Sequence, residues 1–155
     1  EGYGDYFSGA EFNTHGDVVR IRANPWRVEA IKFFLGRCPR WKELLRFEQA
    51  EFMAQAEMLY PMSWSIVYFL EESREAEARA DWAAILPRYY VTLKGAFTAE
   101  RERLAREGRA EDPAALQAAS KGAREAAVLA AFEGLDLDEL EQAWRSFVVA
   151  LKPPK

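Results

Sequence analysis

The chain has 155 residues, half of them hydrophobic and 14% aromatic, enough apolar surface for a packed domain and too much for a disordered chain. A net charge of −4 without a basic stripe argues against nucleic acid as a partner, because phosphates call for clustered Lys and Arg. One cysteine, Cys38, excludes an internal disulfide and a Cys-based metal site; the longest apolar run, Ala126–Phe132, falls far short of the roughly 20 residues of a membrane span.

The chain opens with Glu1-Gly-Tyr-Gly-Asp-Tyr-Phe7, which on a helix puts Glu1 and Asp5 four residues apart on one face. Glycine inside a helix costs about 1 kcal/mol against Ala, so Gly2 and Gly4 ask for a backbone packed close by. His15, the single histidine, stands in Asn13-Thr14-His15-Gly16-Asp17, a turn composition that predicts a solvated side chain. Asp17 to Arg22 is the one short extended segment expected. Asn24 and Pro25 form an N-cap and first-turn pair opening a helix to about Leu35, with Val28, Ile31, Phe34 and Leu35 on its apolar face and Gly36 at its end.

Pro39 begins another helical stretch containing Trp41, Leu44, Leu45 and Phe47, continued by Glu51 to Leu59. Tyr60-Pro61 marks a break, since a residue before Pro avoids α geometry and Pro suits a first turn. The helix that follows, Met62 to Leu70, has only Ser63 and Ser65 as strongly polar residues and is expected to be buried on most sides. Glu71 to Ala80 returns the chain to solvent. From about Asp81 a helix carries Trp82, Ile85, Leu86, Tyr89, Tyr90, Leu93 and Phe97, with a kink at Pro87.

Thr98 to Gly108 is charge-laced, with Glu102 and Arg106 at i, i+4 spacing, and reads as surface. Asp112-Pro113 caps a helix to about Glu133 whose Ala-rich end allows close packing against a neighbour, and Gly134 stops it. Asp136 and Glu139 form a capping-box-like pair before a last helix with Leu137, Leu140, Trp144, Phe147, Val148 and Leu151 on one stripe; Pro153 and Pro154 end it. Trp26, Trp41, Trp64, Trp82 and Trp144 all fit core faces. Cys38 fits a small apolar filler better than a nucleophile.

Three of these segments carry a family resemblance. Glu1–Phe7 resembles the Glu-Gly-x-Ala-x-Tyr-Phe segment of gluzincin metallopeptidases. Tyr60-Pro-Met-Ser-Trp-Ser-Ile-Val-Tyr-Phe-Leu70 is similar to the Tyr-x-x-Ser/Ala-Trp-x-Leu-Val-x-Phe-Leu helix of the peptidase-MA-like gluzincins, bacterial relatives included. Ala131–Arg145 resembles their closing Phe…Leu-x-x-Leu-Glu-x-x-Trp segment. The resemblance implies a mainly α, bundle-like C-terminal subdomain of a zincin-type metallopeptidase, spanning residues 1–155, with 1–8 as the metal-ligand helix and 24–152 as helical scaffold. It departs from the family in one respect: no His-Glu-x-x-His occurs in the chain. The two His ligands and the general base would therefore lie upstream in a longer, extracytoplasmic or envelope protein.

The resemblance also implies roles. Glu1 would be the third zinc ligand, beside two imidazoles and a water, and Asp5 would orient a ligating His through its other ring N–H. Tyr60, 59 positions after Glu1, would aim its hydroxyl at the carbonyl oxygen on which charge develops, with Tyr68 a weaker competitor in the same helix. Read from the residues alone, Glu1 and Asp5 equally suit the positive end of a helix, and Tyr60 equally fills a helix–helix groove. The function expected is thus the C-terminal portion of a zinc-dependent peptidase, inactive alone and not expected to hold zinc tightly, acting on a peptide or protein with the missing N-terminal part. The contrasting expectation is a noncatalytic helical module that binds a protein partner.

Overall fold

The computed structural model describes residues 2–153, and the molecule is mainly α-helical. The chain divides into two compact units, one built from residues 2–78 and 136–153, the other from Arg79–Leu135.

The first unit begins with α1 (Gly2–Tyr6), a 3-10 turn at Phe7–Gly9, and a hairpin of β1 (Ala10–Phe12) and β2 (Val18–Ile21). The strands run antiparallel with Ala10 opposite Ile21 and a register irregularity after Glu11. The extended segment expected around Val18 is present; its partner β1 is one that the sequence does not announce, because three residues are too few to show alternation. His15 sits in the connecting turn. There Asn13 Oδ1 accepts from the backbone of His15 and Asp17, both at 2.9 Å, and Gly16 takes a positive φ of 86°.

Helix α2 (Pro25–Phe34) starts as expected, the Asn24 side chain accepting from the Trp26 and Arg27 amides. Val28 and Ile31 are buried while Trp26 is 81% exposed, so the core assignment of Trp26 is overturned. At about 100° per residue, Trp26 stands roughly 200° from Val28, on the far side of the helix. Short helices α3 (Trp41–Leu44) and α4 (Gln49–Ala54) lead into α5 (Ala56–Glu72).

Helix α5 corrects the expected break at Tyr60-Pro61: it runs through both residues. Pro61 removes one helical hydrogen bond at a cost of about 3 kcal/mol, but Leu59, Met62, Trp64 and Phe69 are all fully buried, each worth about 1.5–3 kcal/mol. Burial outweighs the lost bond. After α6 (Arg74–Ala78) the unit is completed by α10 (Leu137–Ala150), whose Asp136 cap accepts from the amides of Asp138 and Glu139. Leu140, Trp144 and Val148 of α10 are fully buried, and Trp144 Nε1 donates to Ser65 Oγ at 3.0 Å.

The second unit holds α7 (Ala80–Ala83), α8 (Ile85–Arg106) and α9 (Pro113–Phe132). The kink expected at Pro87 is absent. The chain breaks at Ala84 instead, which places Pro87 third in α8, where an amide has no helical acceptor to lose. Leu104 packs with Ala115 and Ala119, and Ala123, Ala127 and Ala131 extend the buried row along α9. On the solvent side Arg103 pairs with Glu100 and Glu107, at 2.8 and 2.6 Å.

Candidate functional site

Helix α1 is only five residues long, too short to persist by itself, and is held in three places. At Gly2 the backbone lies against the carbonyl of Ser63 on α5, where a Cβ would collide. The close neighbour at Gly2 is therefore α5 and not the upstream His-bearing helix that the resemblance implies, and a Cβ on Gly4 would meet nothing within 4 Å. At its other end the Tyr6 hydroxyl donates to Glu72 at 2.6 Å. Burial, reinforced by the Glu72 carboxylate, pushes the Tyr6 hydroxyl well above the ordinary tyrosine range, so it stays a proton donor. Burial also raises Glu71, with Glu72 adding to it.

The third hold is Asp5, whose Oδ2 lies 2.6 Å from an Arg27 amino nitrogen on α2. Asp5 and Arg27 side chains are each less than a third exposed, so the pair is partly shielded from water. Arg27 is a partner that the sequence does not point to, since nothing local links positions 22 residues apart. Glu1 lies outside the described residues.

A cleft of about 500 Å³ opens beside this pair, lined by Asp5, Trp26, Arg27, Glu57, Tyr60 and Pro61 among others. Two residues singled out from the sequence, Asp5 and Tyr60, thus share one cleft although 55 positions separate them. Tyr60 is half-buried; its ring meets Phe52 edge-on at 5.4 Å and its hydroxyl lies 3.9 Å from the Met53 sulfur. Tyr68 lies elsewhere, stacked on Trp64 at 5.1 Å and bordering a separate depression with Arg20, Glu72 and Lys152.

Glu57 and Trp26 are cleft residues that sequence reasoning passed over. A signal existed for Glu57, which precedes Tyr60 by three residues and so shares its helix face. A signal existed for Trp26 too, which stands opposite Val28 on the wheel of α2. Cys38 is buried, and burial pushes its thiol up to about 11, as befits a filler and not a nucleophile.

Among the described residues no three His, Cys, Asp or Glu side chains converge, and the one histidine is in the hairpin turn. The described residues alone do not supply the donor set of a tetrahedral zinc site. Comparison with protein-family models, curated proteins and solved structures finds no match to this chain.

Proposed function

We propose that this chain is the C-terminal helical portion of a zinc-dependent peptidase of the gluzincin type, with Glu1 as the third metal ligand and Tyr60 as the donor to the scissile carbonyl. The observation that carries the reading is the shared cleft of Asp5 and Tyr60, which brings the opening motif and the α5 motif to one place. Bound zinc in such an enzyme activates water and polarises the carbonyl. What this chain contributes is the clamp on α1, which fixes the face carrying Asp5, and a hydroxyl at the cleft wall. Asp5, paired with Arg27, has a second carboxylate oxygen that can accept a further N–H.

The test uses the longer protein with its upstream segment. Glu1→Ala is expected to abolish stoichiometric zinc and peptide hydrolysis together. Tyr60→Phe is expected to keep the zinc and lower kcat by about 10²–10³ with little change in KM, the loss of one oxyanion donor. Unchanged zinc content in Glu1→Ala overturns the ligand assignment.

A second reading, a noncatalytic module that binds a protein partner, is favoured by the apolar ridge of α2, where Trp26 and Phe33 are 81% and 71% exposed seven residues apart. It is distinguished by full zinc independence of partner binding.

A further inference from the structure

We infer that the cleft beside Tyr60 takes a cationic side chain, Lys or Arg, of a bound peptide, held by the Glu57 carboxylate and the Trp26 ring. The inference deepens the peptidase reading by naming the substrate class, and as a statement about the substrate it rests on that reading. The binding itself does not.

Charge decides the sign of the ligand. Among the described residues three charged ones line the cleft, and two of them, Asp5 and Arg27, neutralise each other at 2.6 Å. Glu57 remains, an exposed carboxylate with no ion-pair partner among the described residues, so the described lining carries about one net negative charge. The Glu57 carboxylate has two acceptor oxygens. A Lys ammonium brings three donors and an Arg guanidinium five, and both match a site of acceptors.

Shape and apolar surface decide the rest. Trp26 presents most of its ring to solvent on one wall, and Ala30, Phe34 and Ala56 line the cleft with it. The methylene stem of Lys or Arg covers such surface while its head reaches a carboxylate, and a cation over an indole face gains further attraction. An acidic side chain meets the Glu57 carboxylate with like charge. A neutral aliphatic one leaves that carboxylate covered and unpaired.

The experiment is a titration of this chain with N-acetylated, C-amidated Ala-X-Ala peptides, X being Lys, norleucine or Glu, followed by the NMR shift of the Trp26 indole N–H at low salt. Saturable shifts at millimolar Lys peptide are expected, with affinity about tenfold weaker for norleucine and no saturation for Glu, a tenfold loss being one charge-assisted contact. Glu57→Gln, an exposed position where folding is not at stake, is expected to erase the Lys preference, and Trp26→Ala, followed instead by the backbone amide shift of Glu57, to weaken Lys and norleucine alike. Equal affinity for Lys and norleucine, or a Lys preference that survives Glu57→Gln, overturns the inference. Its failure is separable from that of the peptidase reading, because zinc content of the longer protein does not enter the titration. Lys-selective binding beside a zinc-free Glu1 protein would leave the cleft as a docking site for a basic segment.

Discussion

At the residue scale, a consequential side chain in the scaffold is the Glu of the closing Leu-x-x-Leu-Glu-x-x-Trp segment, to which the sequence assigns no role. Glu141 is 3% exposed and accepts from Arg40 Nε at 2.9 Å, the Trp41 amide at 3.0 Å and Arg145 Nε at 2.8 Å. Burial alone would raise its carboxyl; the hydrogen bonds outweigh burial and hold it below the ordinary value. A carboxyl depressed on folding adds stability above its unfolded pKa and loses it as pH falls through the folded one. Glu141→Gln is therefore expected to cost about 3 kcal/mol at neutral pH, with the gap to the parent closing below about pH 4, read as Tm against pH. The glycines of α1 make a paired test. Gly2→Ala should destabilise by about 1–3 kcal/mol, because Ser63 backbone occupies the Cβ position, while Gly4→Ala should stabilise by up to about 1 kcal/mol. Equal thermal shifts for the two would contradict the close packing of α1 on α5.

At the element scale, local chemistry near a helix end was legible and the helix interior less so. Asn24, Asp112 and Asp136 each accept from two amides of the turn they cap, as their neighbours in sequence lead one to expect. Asp136→Ala is expected to cost about 1 kcal/mol by chemical denaturation. The two prolines show why interiors are harder. Pro61 is carried within α5 because the residues around it are buried, and Pro87 is harmless because Ala84 ends the previous turn. Neither fact is local to the proline. In α9, five alanines from Ala115 to Ala131 recur every fourth residue and are buried. Ala119→Leu should cost about 1–3 kcal/mol, since it inserts three carbons beside Leu104, whereas the same change at exposed Ala118 should be near neutral.

At the scale of the whole molecule, the first unit is discontinuous in sequence and closes only when α10 returns to it. Its core then contains the Trp41–Trp144 pair, with ring centres 5.8 Å apart, and the Ser65–Trp144 hydrogen bond. A chain ending at Leu135 removes Leu140, Trp144 and Val148 from that core. Such a truncation is expected to lose the cooperative thermal transition and near-UV dichroism of the buried tryptophans while keeping helical far-UV signal.

By itself the sequence determined the helical class, the capped starts of α2, α9 and α10, the burial of Trp41, Trp64, Trp82 and Trp144, and the turn that holds His15, because each depends on period, capping or turn chemistry within a few residues. Only the tertiary structure decided that Asp5 pairs with Arg27, that Asp5 and Tyr60 share a cleft, and that Glu57 is, among the described residues, the uncompensated charge beside them. These are contacts between helices far apart in the chain, set by which faces the core consumes. A helix pattern fixes a buried face, but not what the opposite face will meet.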